Sequence, residues 1–550
     1  MMSQRAGTSW VWALLLIAVA VVWFGNLEYR KLVKPDEGRY AEISREMVAS
    51  GNWTTPRLND LKYFEKPPLQ YWTTAAAYEM FGEHNWTARL WTALTGLMGI
   101  ALVYYTGRRV WGGDAGLYGA AVLGSSLLYV MIGHMNSLDM GLTFFMALGM
   151  CGFVLAQHDG ASARENSWWM HVTWAALALA VLSKGLIGIV LPGAVLVLYT
   201  LIQRDWALWK RLHLLTGTLL FFAVAAPWFV AVSRANPEFA HFFFIHEHFE
   251  RFLTTEHKRY EPWWWFIPVL IGGMLPWLLN LGDALLRAWR RDTGVQERFQ
   301  TRRFLLIWSV FIFVFFSMSG SKLASYILPI FPALALLIGL RLTQISARMQ
   351  FWMMAPTAVL AAAMLVLAQR AVDFGSPDEA VYYREYAVWL AVAGCVWLAG
   401  TLLGLYLLHR QRVRAGILAL ALSALLFGQL TITGHNTLSP LSSAWRLAQQ
   451  VRPYDKADTP FYSLVMYDPT LSFYLQRPVT LVAFQDEMAF GLQQEPQKWL
   501  PSVEQFKQDW RNEREALAIM ETPMLKELQA DGLQMEVIAQ DIQYVVIRKP

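Results

Sequence analysis

About thirteen apolar runs, each near the ~20 residues an α-helix needs to cross a hydrocarbon core, follow one another between residues 9 and 433. They fall within 9–26, 87–107, 114–133, 138–156, 168–183, 185–202, 212–234, 262–282, 303–319, 322–340, 350–369, 386–408 and 414–433. In lipid every backbone polar group has to be satisfied within the segment, so such runs fold as helices and the chain reads as a polytopic α-helical membrane protein. The fifth and sixth runs, and the ninth and tenth, are parted only by short polar turns around Lys184 and Lys322. The first run, preceded by Arg5, has the outline of a signal peptide. It continues through Trp23, Phe24 and Tyr29 without a small-residue cleavage site, and reads as a retained anchor.

Charge divides the chain in two. Residues 436–550 hold eleven Lys+Arg against fifteen Asp+Glu, net −4, so a chain of overall charge +5 carries +9 on the remainder. This predicts a membrane domain over 1–435 and a water-facing domain over 436–550. Only 16% of the 550 residues are charged, against roughly 25% in soluble domains. That content, with 26 Trp and a mean hydropathy of +0.31, counts against disorder and against nucleic acid as a partner. Cys151 and Cys395 lie in separate apolar runs and define no disulfide framework.

Short loops rich in arginine and lysine mark the cytoplasmic side. Arg5, Arg108 and Arg109, Arg164, then Arg204, Lys210 and Arg211, the set from Arg287 to Arg303, Arg341 and Arg348, and Arg410, Arg412 and Arg414 alternate with the other side through every span. The N-terminus is therefore expected in the cytoplasm, and the C-terminal domain opposite. Two long loops, 27–86 and 235–261, share that opposite side. The first contains two amphipathic stretches, Glu37–Ala49 and Leu69–Phe81, suited to the interface plane. The tail alternates β-rich runs (Phe461–Tyr467, Val479–Phe484, Met535–Ala539, Ile542–Ile547) with a helical one (Val503–Ile519), as in a small α/β domain.

Two segments of the first loop carry candidate chemistry. Pro35-Asp36-Glu37-Gly38-Arg39-Tyr40 sets an acidic pair beside a base at a membrane surface, which suggests a site, although two carboxylates at a helix start also favour the helix dipole. Lys62-Tyr63-Phe64-Glu65-Lys66-Pro67-Pro68 offers ammonium groups suited to phosphate oxygens, the alternative being snorkelling lysines.

Together these segments, PDEGRYAEISREMVASGNWTTPRLNDLKYFEKPPLQYW, resemble the GT-C glycosyltransferases that use polyprenyl-phosphate sugars. The closer likeness is to the bacterial aminoarabinose transferases of lipid A, and it extends over the whole chain. The resemblance implies a GT-C fold of about 13 transmembrane helices with periplasmic loop helices and a small periplasmic α/β domain. It implies transfer of 4-amino-4-deoxy-L-arabinose from undecaprenyl phosphate to lipid A phosphates by an inverting displacement at the periplasmic face of the bacterial inner membrane. Such a reaction lowers surface negative charge and confers resistance to polymyxin and other cationic peptides. The implied partners are the lipid-linked sugar, lipid A and membrane lipids, with the chain acting as a monomer.

By the same resemblance Asp36 is the catalytic carboxylate. A phosphate acceptor is already anionic, so contact with the sugar amine or with the charge developing at the anomeric carbon ranks above a general-base role. Arg39 and Lys66 would hold the carrier phosphate, and Tyr63 and Tyr326 would help, interfacial belt tyrosines being the alternative. Asp139, following His134 and Asn136 in the turn between the third and fourth runs, needs a reason to enter an apolar helix and is the second catalytic candidate. Lys184 would meet the donor phosphate or pair with Asp139, or else snorkel.

The segment from His241 to Phe252 invites a metal reading in which Glu65 and His246 bridge the long loops through a divalent ion such as Zn. Solvated histidines are the alternative there, and Arg251 and Arg259 could instead greet the anionic acceptor. No Walker loop, nicotinamide fingerprint or nucleophile elbow is present, so no nucleotide is expected and the activated donor supplies the energy. The competing functions are a GT-C transferase of mannose or another sugar, which would share the loop carboxylates, and a polyprenol or lipid flippase. A flippase would show internal repeats that this sequence lacks.

Overall fold

The computed structural model describes residues 17–245, 261–290 and 298–550. The chain divides into two compact units: Met1–Leu27, Trp91–Gln369 and Val388–Thr433 form the first, and Glu28–Leu90, Arg370–Ala387 and Gly434–Pro550 the second. The tail does not stand by itself in this division, because most of the first long loop belongs to its unit.

Among the described residues, eight helices are long and apolar enough to cross a membrane, from Asn85–Trp111 to Val413–Ser442. A ninth span forms if Phe266–Gly273 and Leu278–Ala288, bent by 112°, count as one. The remaining predicted runs appear as a helix over 17–24, a broken pair Gly113–Ser125 and Leu127–Ile132, the Ala163–Lys184 helix and the shorter apolar helix Ile187–Gln203.

The run 114–133, expected as one helix, is interrupted at Ser126, whose backbone is extended (φ −68°, ψ 123°). Two adjacent serines turn their hydroxyls back onto the preceding turn, Ser125 donating to Ala121 O (2.5 Å) and Ser126 to Val122 O (2.7 Å). Such bonds compete with the helical ladder. The freed Leu127 N–H donates to Leu275 O at 3.3 Å, so the break is satisfied by protein. Close packing of Gly113–Ser125 on Phe331–Gln344 depends on small residues. A Cβ at Gly339 would stand 2.5 Å from the Gly119 nitrogen and 2.6 Å from Ala115 O.

In the second unit the predicted loop helices appear as Asp36–Ser50 and Leu69–Phe81. Every residue from Glu37 to Met47 is buried, so the first of them uses all its faces inside the protein. Between them strands β1 (Arg57–Leu58) and β2 (Leu61–Lys62) form a hairpin. Its turn residues Asn59 (φ 54°) and Asp60 (φ 56°) have the left-handed backbone that tight hairpins require.

The tail contributes β3 (Phe461–Leu464), β4 (Thr480–Val482), β5 (Trp499–Leu500), β6 (Leu517–Glu521), β7 (Glu536–Gln540) and β8 (Tyr544–Arg548), in the order β5-β4-β3-β6-β8-β7. The first four neighbours pair in parallel, and β8 runs antiparallel to both β6 and β7. Tyr462, Leu464, Ala518, Met520, Val545 and Ile547 alternate onto one face, where Phe506 and Trp510 cover them. Helix was expected over 503–519, but it stops at Asn512 and Leu517–Glu521 is a strand. Four consecutive apolar residues there are buried on both faces between β3 and β8, and in so short a run that pattern does not distinguish strand from helix.

Candidate active site

The acidic pair at the start of Asp36–Ser50 separates into two environments. Glu37 points inward and is held by two guanidiniums: Arg30 donates to it at 2.8 and 2.9 Å, and Arg89 at 2.7 and 2.9 Å. Burial alone would raise its pKa, but these two cations outweigh burial and hold the carboxyl well below the ordinary carboxylate range. Asp36 keeps 40% of its side-chain surface and accepts a hydrogen bond from Arg39 Nη1 at 2.9 Å.

Arg39 is buried and is shared with a second carboxylate from the tail: its Nε donates to Glu487 Oε1 at 3.0 Å, and its other terminal nitrogen pairs with Glu487 Oε2. Burial pushes the Glu487 carboxyl up to about 7, with Glu65 and Asp486 adding to the rise and Arg39 opposing it. Tyr63 and Tyr71, both buried, lie in the field of Arg39, Glu65 and Glu487; burial is the first cause that raises their phenols. The Tyr71 hydroxyl has no hydrogen-bond partner among the described residues. Arg39 also sits over the Tyr40 ring, 5.9 Å from its centroid. Lys66 Nζ donates to Glu65 O at 2.9 Å and lies 3.7 Å from Glu65 Oε2.

Gly38 explains how the helix meets the tail. A Cβ there would stand 2.6 Å from Thr470 Cγ2 and 2.8 Å from the Thr470 nitrogen, so only glycine lets the two backbones approach this closely.

In the first unit Asp139 opens the Leu138–Gln157 helix and is ion-paired with Lys184, the last residue of Ala163–Lys184. Ser325 donates to its second oxygen at 2.8 Å, and Lys184 Nζ lies 4.7 Å from the centre of the Tyr326 ring. Lys184 thus takes the Asp139 pairing among the roles open to it. His134 and Asn136 are buried structural neighbours of that turn. The His134 ring contacts Val130 O (2.6 Å), Trp23 O (2.7 Å) and Gln429 Nε2 (2.8 Å), which occupies both its nitrogens.

Of the predicted residues, Asp36, Arg39, Tyr63, Glu65 and Lys66 lie in the second unit, and Asp139, Lys184 and Tyr326 in the first. His246 and Arg251 lie outside the described residues. Among the described residues no group of three His, Cys, Asp or Glu side chains is arranged to hold a metal ion. Sequence reasoning missed Glu487, Tyr71 and Ser325. An acidic Asp486-Glu487 step between apolar stretches was visible, but nothing local ties it to an arginine 448 positions away.

The sequence pattern of the aminoarabinose transferase C-terminal domain matches residues 447–549, and that of the dolichyl-phosphate-mannose-protein mannosyltransferases matches 8–243. The crystal structure of ArnT from Cupriavidus metallidurans in the apo state is 40% identical, covers 99% of this chain and 98% of its own, and superposes with a TM-score of 0.93. The chain belongs to the aminoarabinose transferase family.

The form of ArnT bound to undecaprenyl phosphate superposes equally well, with a TM-score of 0.94. A curated family relative, the undecaprenyl phosphate-alpha-4-amino-4-deoxy-L-arabinose arabinosyl transferase of Erwinia tasmaniensis, is 35% identical over 326 residues. That match spans 58% of this chain and 57% of the relative, little more than half of its length. The apo oligosaccharyltransferase of Archaeoglobus fulgidus, 14% identical, superposes over 94% of this chain and 70% of its own with a TM-score of 0.53, so the aminoarabinose transferase fold here is of GT-C type. With its apolar helices, the family likeness makes the chain an integral membrane protein.

Proposed function

We propose that this chain is an inverting membrane glycosyltransferase that moves 4-amino-4-deoxy-L-arabinose from undecaprenyl phosphate to phosphate groups of lipid A. The observation that carries the reading is the likeness along nearly the whole chain to an ArnT whose structure holds undecaprenyl phosphate. In this reading the enzyme sits in the bacterial inner membrane as a monomer, N-terminus cytoplasmic and tail periplasmic, an orientation supported by the arginine-rich loops. Masking lipid A charge would then give resistance to polymyxin.

The chemistry proposed follows from the charges present. Arg39 is committed to Asp36 and Glu487, so a phosphate reaching its guanidinium displaces one of them. Glu487, with its pKa near 7, gives way by taking up a proton. Arg39 and Lys66 stabilise the leaving phosphate, and Tyr63 and Tyr326 orient the donor. Asp36, the exposed carboxylate of the pair, contacts the sugar amine or the positive charge developing at the anomeric carbon. Asp139, neutralised by Lys184 and hydrogen-bonded by Ser325, orients a substrate group and does not act as a free base. Arg251 is assigned to the anionic acceptor. A divalent ion at Glu65 and His246 belongs to the same reading, and no step is routed through it. If activity and thermal stability both survive chelation, that ion is dismissed.

Expression in a host that makes the donor but lacks its own transferase tests the function. Mass spectrometry is expected to show aminopentose on lipid A. Unmodified lipid A despite verified membrane insertion overturns the reading, and hexose on protein or glycan favours the mannosyl alternative suggested by the match over 8–243.

A further inference from the structure

An apolar cavity of about 290 Å³ lies in the first unit among the helices Leu138–Gln157, Ala163–Lys184 and Ile187–Gln203. Met150, Phe153, Trp174, Leu177, Gly193 and Trp209 line it, and neither Asp139 nor Lys184 does. Its volume is roughly twice the ~150 Å³ that holds a benzene ring in an engineered core, so it takes a stretch of hydrocarbon chain. Val197 and Leu214, also in the lining, are 44% and 45% exposed and form its mouth on the apolar flank.

Trp174 Nε1 donates to Leu212 O at 2.9 Å, and Trp209 Nε1 is buried without an acceptor among the described residues. Trp209 lies in the 3₁₀ turn Trp206–Arg211, which is flanked by Arg204 (φ 56°) and His213 (φ 49°). Two non-glycine residues in the left-handed region fix the turn in one costly shape. Arg204 and Lys210 are exposed, and among the described residues neither has an acidic partner. Trp168 (65% exposed) and Trp206 (62%) mark the same end as a headgroup belt.

We propose that the cavity binds one acyl chain of an anionic glycerophospholipid, whose head-group phosphate meets Lys210 and Arg204. The apolar walls fit a methylene chain. Lys210, next to the lining residue Trp209 in its turn, and Arg204, just before that turn, select a negative head group over a zwitterionic one. This inference does not depend on the transferase reading.

A phosphatidylglycerol with a diazirine in its acyl tail, photolysed with the purified full chain, tests it by peptide mapping. Labels are expected on 149–153, 170–177 and 189–197. A Cβ at Gly193 meets no atom within 4 Å, so Gly193→Phe fills the cavity without a clash at its base and removes those labels at an unchanged melting temperature. Lys210→Glu, on an exposed side chain, lowers labelling by phosphatidylglycerol about fivefold or more and leaves labelling by phosphatidylcholine unchanged. Labels elsewhere, equal labelling by both lipids, no response to either substitution, or one-for-one displacement by undecaprenyl phosphate would overturn the proposal.

Discussion

Asp36 keeps 40% of its side-chain surface with one arginine, whereas Glu37, 1% exposed, is clamped between Arg30 and Arg89. Adjacent carboxylates therefore divide the work of reaction and of folding. Breaking a buried ion pair by removing one partner costs about 3–5 kcal/mol, so Glu37→Ala is expected to lower the melting temperature and membrane yield sharply. Asp36→Asn is expected to melt like the parent while turnover falls on the order of a hundredfold or more. Thermal denaturation of both variants in detergent, beside turnover, checks the contrast. Glu487 gives a pH prediction. Its folded pKa of about 7 lies above the ordinary 4.5 of a glutamate. The folded state thus favours the protonated acid, and the stability this contributes is present below about pH 4.5 and is lost as pH rises through about 7. Melting temperatures across that range are expected to decline less for Glu487→Gln than for the parent; parallel profiles would contradict the assignment.

At the scale of elements, Gly38 sets how the Asp36–Ser50 helix docks on Pro469–Leu475. Gly38→Ala forces a methyl against the Thr470 backbone, and overpacking of this kind costs about 1–3 kcal/mol. Because the shift moves Asp36 and Arg39 with the helix, activity is expected to fall further than the melting temperature suggests, measurable as a lower kcat at near-normal expression. The extent of both loop helices was legible, but the amphipathic, interface-lying character expected of the first was not borne out, since every residue from Glu37 to Met47 is buried in the protein. The break at Ser126 was not legible, because the apolar run continues through it and only the serine back-bonds and the Leu275 carbonyl stabilise the interruption. The strand Leu517–Glu521 was likewise concealed, since burial on both faces erases the alternation that betrays a half-exposed strand.

For the molecule as a whole, the apolar runs and the sign of the charge on the tail were enough to place the chain among polytopic membrane proteins with a separate α/β element. They could not show that Glu28–Leu90 shares a compact unit with Gly434–Pro550. That grouping depends on pairs far apart in sequence, such as Arg39 with Glu487 and Asn59 with Val479, which no local pattern encodes. The most direct measurement is transfer by the purified chain in proteoliposomes supplied with undecaprenyl-phosphate aminoarabinose and lipid A, the product being read by mass spectrometry and its anomeric configuration by NMR. Aminoarabinose on a lipid A phosphate with inverted configuration is expected, with little product from Asp36→Asn. A retained configuration, undiminished transfer by Asp36→Asn, or no product from correctly folded protein would contradict the proposed reaction.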